Sequence, residues 1–335
     1  MNNGPAIDVH EVTKTYRDGR WSKRHIDALQ AVTLDVQQGE IFGLLGPNGA
    51  GKTTFIKVLL GIVRTTSGSA KLLGLPAGDR RGRRRVGYLP ENLRMPRYHT
   101  ANSALAYYGG LSGLTRRQVI DRRGALLERV GLQDRARDKI YKYSKGMLQR
   151  LGLAQSLIHE PDLLILDEPT DGLDPVARAE VRRILTELKA EGKTIFVNSH
   201  LLQEVELICD RVAILDKGHL RRVGPVDEIT AGAASSASGS STSIPNRVQQ
   251  LRLTVQLGGP ESTIRAVLEG NQLDDWHSTG TDRFQLVVHL PDQSAVDRCI
   301  DDLRRAGISI ISLSPQRVTL EDAFLDVVDE PQAGS

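Results

Sequence analysis

The sequence predicts an α/β protein built on a parallel sheet, followed by a smaller α+β domain. Three observations carry that prediction. From Ile7 to about Thr230, short apolar runs alternate with helical stretches. Three of those runs, Leu163-Leu164-Ile165-Leu166, Thr194-Ile195-Phe196-Val197 and Val212-Ala213-Ile214-Leu215, read as central strands buried on both faces. The segment Ala231–Asn246 is then rich in Ser, Ala and Gly, with no core-forming residue before Ile244.

Each element follows in order. Ile41–Leu45 reads as a short buried strand and Thr53–Leu60 as the helix after it; from Asn102 to Gln155 the pattern turns helical, as an insertion would. Beyond the linker, Leu251–Leu257 and Phe284–Leu290 alternate like half-buried strands. Thr263–Leu268 and Ala295–Arg305 are helix-like, and Ile308–Leu313 is a further strand, together suggesting a ferredoxin-like unit. The expected domains are residues 1–230, a flexible linker at 231–246 and a small α+β accessory domain at 247–335. A length of 335 residues suits two domains.

Composition excludes several classes. The balance of 44 Lys+Arg against 41 Asp+Glu gives net +3, too weak a bias to argue for nucleic acid, and none is expected as a partner. The dense run Arg80, Arg81, Arg83, Arg84, Arg85 reads as a solvated face. Cys209 and Cys299 are far apart and suggest free thiols rather than a metal site or a disulfide framework. No apolar run approaches the ~18–20 residues a bilayer requires, and no secretory signal is visible. A cytoplasmic protein is expected, peripheral on the membrane only if another chain holds it there.

The chemistry is concentrated in short motifs. Gly46-Pro47-Asn48-Gly49-Ala50-Gly51-Lys52-Thr53 fits the phosphate-binding pattern G-x-x-x-x-G-K-[ST]. Its glycines let successive N–H groups turn inward around an anion, and the following helix, with Thr53 and Thr54 in its first turn, adds its N-terminal partial charge. Lys52 can reach the outer phosphates, and the Thr53 hydroxyl can ligate Mg²⁺. Leu163–Leu166 then delivers Asp167 and Glu168 at a strand's carboxyl end, where α/β proteins bind ligands. Asp167 is placed to hold Mg²⁺, and Glu168, pointing the other way, to accept a proton from an attacking water.

A third motif, Tyr143-Ser144-Lys145-Gly146-Met147-Leu148-Gln149-Arg150, completes a resemblance to the ATP-binding cassette (ABC) ATPases. It resembles their L-S-G-G-Q signature at Ser144 and Gly146 and departs from it at Tyr143, Lys145 and Met147. The resemblance covers about Ile7–Thr230. It implies a P-loop NTPase fold: a RecA-like core, an antiparallel β-subdomain and a helical subdomain carrying the signature. It further implies Tyr16 as the aromatic that stacks on adenine, with Trp21 as competitor, and Glu91 in place of the Q-loop glutamine as a metal ligand. Asp174 matches the aspartate that touches a facing subunit, and His200 the histidine that contacts the γ-phosphate. ATP and Mg²⁺ are then held between two chains, in a homodimer or a heterodimer with a sister ATPase.

Two classes of partner compete for the output of such an ATPase. Glu91, the Tyr-Ser-Lys-Gly-Met signature and the tail Thr319-Leu320-Glu321-Asp322-Ala323-Phe324 resemble ATPases of the ABC-2-type exporter group, which work with membrane permease subunits. The same tail reads equally as a capping box before an amphipathic helix. Soluble members acting on ribosomes usually carry two cassettes, and those acting on DNA carry long coiled coils; this chain shows neither. Transport, and within it export, is the expected reading, with an importer ATPase as alternative. Residues 91–108, including Tyr98, Tyr107 and Tyr108, are the expected groove for a permease helix, with core packing an equal alternative for each tyrosine.

Overall fold

Strand β3 (Ile41–Leu45) is buried at every position, as are β7 (Leu163–Asp167) and β8 (Thr194–Asn198). Such strands need a sheet covered on both sides, and they have one. The computed structural model describes residues 4–17, 25–230, 251–315 and 319–329. Trp21 and the segment Ala231–Asn246 lie outside the described residues. The chain divides into two compact units, Met1–Val226 and Asp227–Ser335.

In the first unit a six-stranded sheet has the order β10-β9-β3-β8-β7-β6, with β6 at Val86–Leu89, β9 at Arg211–Asp216 and β10 at His219–Pro225. Its strands from β9 to β6 are parallel, and β10 returns antiparallel beside β9. Helix α1 (Lys52–Leu59) follows β3, turning Phe55, Ile56, Val58 and Leu59 into the core around Phe42 and Phe196. Phe42 and Phe196 stack with ring centroids 5.9 Å apart. A second sheet, antiparallel, is the expected β-subdomain. Its order is β2-β1-β4-β5, from β1 (Ile7–Arg17), β2 (His25–Val36), β4 (Ser67–Leu72) and β5 (Leu75–Pro76).

The helical insertion is present. A short helix α2 (Arg80–Arg83) carries the first part of the arginine run, every arginine of which is exposed. Then come α3 (Ala101–Leu111), α4 (Arg116–Arg129) and, after two 3-10 turns, α5 (Lys145–Leu157). Thr100 with Ser103 and Thr115 with Gln118 close reciprocal capping boxes at the starts of α3 and α4. Helices α6 (Pro175–Ala190) and α7 (Leu202–Ile208) complete the α/β layers.

The second unit, entered through the short helix α8 (residues 226–230), runs strand, helix, strand, strand, helix, strand. These are β11 (Leu251–Gly258), α9 (Glu261–Val267), β12 (Gln272–Gly280), β13 (Arg283–Leu290), α10 (Gln293–Arg305) and β14 (Ser309–Pro315). All neighbours in the order β12-β13-β11-β14 are antiparallel, the split βαβ arrangement expected of a ferredoxin-like unit. Two details differ from expectation. Strand β12 gave no apolar alternation, because it is a mostly exposed edge strand with register irregularities. Strand β13 is buried on both sides from Leu286 to Leu290, instead of alternating. At the tail, Thr319 and Asp322 exchange cap hydrogen bonds of 2.9 and 3.3 Å before α11 (Leu320–Asp329), so the capping box is present.

Candidate active site

The register of the parallel sheet assembles the site. Asn198 at the end of β8 is level with Leu44 on β3 and with Asp167 on β7. Three adjacent strands therefore stop in one row, about 10 Å across at the usual strand spacing. The phosphate-binding loop leaves one end of that row and Asp167 closes the other.

The loop's glycines are required by its path. Gly51 has φ +107 and caps α1 without a side chain, and a Cβ there would lie 2.3 Å from the Ala28 carbonyl oxygen. A Cβ on Gly46 would lie 2.3 Å from the Leu215 carbonyl oxygen. Ala50 N–H turns back to the Pro47 carbonyl at 3.2 Å, leaving Asn48 and Gly49 exposed at the crest. Lys52 is buried, and its ammonium donates to the Gly46 and Pro47 carbonyls at 2.5 and 3.1 Å. Burial holds its pKa below the ordinary lysine value, opposed by the charges of Glu168, Asp167 and Glu91. Thr53 is exposed and Thr54 half-buried in the first turn of α1.

Asp167 is buried, and its Oδ1 accepts a 2.5 Å hydrogen bond from the Asn198 amide. Burial raises its carboxyl above the ordinary range, the Asn198 bond opposes this, and the Glu91 and Glu168 charges add to the rise. The Tyr88 hydroxyl is pushed up to about 12, first by burial and then by Asp167 and Glu91. Glu91 itself is exposed, just past β6, and its charge bears on Lys52, Asp167 and Tyr88.

Glu168 leaves the strand by an uncommon route. The ladder ends at Asp167, and Glu168 has φ +52, a left-handed conformation rarely taken by a long side chain. Its N–H donates to the Asn198 carbonyl at 2.8 Å, which fixes the bend. Its Oε2 then meets the His200 ring Nδ1 at 2.8 Å and the His200 N–H at 3.3 Å. Oε1 accepts no hydrogen bond among the described residues. Glu168 and His200, expected to act separately, are one hydrogen-bonded pair.

The structure thus brings Lys52, Asp167, Glu168, His200 and Glu91 together around the loop. Asn198, absent from the expected site residues, joins them by positioning both carboxylates. Tyr16 stands opposite Ile26 on β2, two residues from the Ala28 carbonyl that lies against Gly51. Its exposed ring carries the Lys14 ammonium 5.0 Å from the centroid. Ser144 is elsewhere, exposed at the start of α5, where its Oγ accepts from Met147 N–H at 3.2 Å. Gly146 packs toward α6, with its Cβ position 3.2 Å from the Ala177 Cβ. Asp174 caps α6, its Oδ1 accepting from Ala177 N–H at 2.9 Å.

The residues present fit Mg²⁺ and a polyphosphate. Three carboxylates, Glu91, Asp167 and Glu168, face a single buried cation, Lys52. The Asn198 amide oxygen is buried without a hydrogen-bond partner, an acceptor suited to a bound water. The exposed Thr53 hydroxyl and the backbone at the start of α1 offer the remaining oxygen and N–H groups a magnesium–phosphate complex takes.

Comparison with known proteins agrees with this geometry. The family model described as ABC transporter matches residues 29–171. An uncharacterized ABC transporter ATP-binding protein (sll0415) of Synechocystis sp. is 40% identical, covering 96% of this chain and 84% of its own. The bacitracin transport ATP-binding protein BcrA of Bacillus licheniformis is 31% identical, covering 96% of this chain and 97% of its own. The solved structure of an ATP binding subunit of an ABC transporter matches with a TM-score of 0.59 at 30% identity, covering 67% of this chain and 91% of that one. The buried lysine, the paired strand-end carboxylates and the full-length likeness to such subunits have one meaning: the chain belongs to the ABC family and is the ATP-binding, ATP-hydrolysing subunit of an ABC transporter.

Proposed function

We propose that this chain powers export from the cytoplasmic face of a membrane, as a homodimer or with a sister ATPase, through separate permease subunits. The observation that carries the catalytic part is the Glu168–His200 pair beside Lys52 and Asp167. The bacitracin transport relative supports the transport reading, and the signature around Lys145 with Glu91 favours export. No helix among the described residues is long and apolar enough to cross a membrane.

In the proposed mechanism the loop N–H groups and Lys52 hold the β- and γ-phosphates, giving up the carbonyl contacts of the ammonium. Thr53, Asp167 and Glu91 would hold Mg²⁺, which would supply positive charge against the developing phosphate charge. Glu168 accepts a proton from the attacking water on Oε1, while Oε2 stays on His200. The water oxygen forms a bond to the γ-phosphorus in line, and the bond to the ADP oxygen breaks. His200, held by Nδ1 on Glu168, stands by the transferred phosphoryl and meets it as the bond breaks. Ser144 and Gly146 serve the facing chain's ATP through the N-terminus of α5. Tyr16 stacks on adenine, and Asp174 meets the facing chain from the turn that leads into α6, the helix it caps.

The permease groove is assigned to residues 91–108. Tyr98 is 70% exposed and Tyr107 52%, which excludes core packing for both, while Tyr108 is half-buried. His99 lies between Tyr98 and Tyr107, at ring distances of 4.7 and 5.9 Å, giving an aromatic strip for an apolar helix. Charge reversal along this strip that left permease binding intact would remove the assignment.

The deciding experiment is recovery of tagged Glu168→Gln protein from detergent-solubilised native membranes with ATP, followed by mass spectrometry. A polytopic membrane protein in the eluate supports transport, and its identity narrows direction and substrate. Ribosomal or DNA-bound proteins alone would move the chain to the soluble class.

A further inference from the structure

Lys145 breaks a local rule. It is the first residue of α5, directly after the Ser144 cap, where the helix's N-terminal partial charge disfavours a cation. It is also where the sequence departs from the glycine of the L-S-G-G-Q pattern. Its ammonium is not free: Nζ lies 3.0 Å from Asp171 Oδ2. The lysine lies across the turn that follows Glu168, since a Cβ on Gly172 would fall 2.0 Å from that Nζ.

Asp171 faces two ways. With Oδ2 on Lys145, its Oδ1 is 3.9 Å from His200 Nε2. Its N–H donates to the Glu168 carbonyl at 3.3 Å. His200 Nδ1 in turn meets Glu168 Oε2 at 2.8 Å. Charged and polar groups therefore run in series from the signature helix to the catalytic carboxylate: Lys145, Asp171, His200, Glu168.

Stability does not account for the first pair. Its side chains are 59% and 45% exposed, and exposed ion pairs contribute little. The helix is already capped by Ser144. What the pair does supply is position: it fixes the carboxylate that stands beside the His200 ring.

We propose that Lys145 and Asp171 are positioning residues, a latch by which the signature helix sets the His200–Glu168 pair of its own chain. The proposal rests on the two-chain reading above. In that arrangement Ser144 serves the partner's nucleotide while Glu168 and His200 act on the chain's own. The latch then ties the occupancy of one ATP site to turnover at the other.

Steady-state ATP hydrolysis by the intact chain tests this, with Lys145→Gln, Asp171→Asn, the double variant, and the conservative Lys145→Arg. Each neutral single variant is expected to lower kcat about tenfold, with KM for ATP within about twofold. The double variant loses no more than either single, Lys145→Arg stays within about threefold of wild type, and thermal midpoints hardly move. The Hill coefficient for ATP falls toward one in the neutral variants. Multiplying losses in the double variant, unchanged kcat in the singles, or a drop in KM affinity alone would each overturn the latch. Sedimentation of Glu168→Gln protein with ATP judges the two-chain reading separately. A monomer there removes the tie between sites, while the kcat comparison still decides whether Lys145 positions His200.

Discussion

The two units differ most in what they bury. In the first, Lys52, Asp167, Glu168, Thr170, Asn198 and Ser199 are all buried near the carboxyl ends of parallel strands. In the second, the buried polar side chain among the described residues is His289, which meets Asp274 at 2.7 Å. Its core is otherwise apolar, from Leu253 and Val255 to Leu286 and Val288. A buried polar group costs free energy even when paired, so a fold keeps a cluster of them where they perform chemistry. The contrast separates a unit built around a reaction from one built around its own packing.

The contrast breaks if the buried carboxylates prove dispensable. Glu168→Gln is expected to lower phosphate release by about a hundredfold or more while ATP still binds. Turnover within about threefold of wild type would return Glu168 to a structural role. Backbone effects sharpen the same point. Gly51→Ala adds a Cβ at 2.3 Å from the Ala28 carbonyl to a residue at φ +107. It is expected to abolish measurable ATP binding, or to cost roughly 3 kcal/mol where the loop still forms. Gly270→Ala in the second unit also has positive φ, at +89, but meets nothing within 4 Å. That change is expected to cost about 1 kcal/mol and leave ATP binding alone. Nucleotide titration and thermal melts of the two variants make the comparison direct.

These differences also explain what the sequence made legible. The phosphate loop could be read because its glycines and Lys52 have a fixed spacing that the backbone itself imposes. The parallel strands could be read because burial on both faces demands an unbroken apolar run. Glu168's left-handed turn left no mark, since the residue is not a glycine and the strain is set by the Asn198 carbonyl from the next strand. Asn198's own role depends on cross-strand register, which links residues 31 positions apart. Asp171 was equally silent, because its partners come from α5 and from beyond β8. Strand β12 was missed for a different reason: an exposed edge needs no apolar face.

A core change in the second unit should leave chemistry untouched. Leu286 is fully buried between β11 and β12 neighbours. Leu286→Ala is expected to cost about 2–5 kcal/mol in unfolding of that unit. KM and kcat for ATP should stay within about twofold, because no site residue lies within the altered core. A parallel loss of turnover would show that the second unit shapes the site, and the separation drawn from burial would fail.

The finest test concerns the charge the first unit keeps at its centre. Burial raises the Asp167 carboxyl above its ordinary value of 3.8. Between that value and the raised one, the folded chain holds a proton that the unfolded chain has released. Stability therefore falls as pH rises through this window, and the full penalty stands at neutral pH. Asp167→Asn removes the charge while its side-chain oxygen can still accept from the Asn198 amide, a bond of 2.5 Å in the wild type. In nucleotide-free protein at neutral pH the variant should melt a few degrees higher, an advantage that shrinks as pH falls through the raised pKa toward 3.8. With Mg²⁺ and ATP the order should reverse, since bound metal stabilises only the carboxylate-bearing chain. Melting curves at two pH values, with and without magnesium and ATP, check all three signs. A variant less stable in every condition would mean that Asp167 belongs to the packing, as the second unit's residues do, and not to the chemistry.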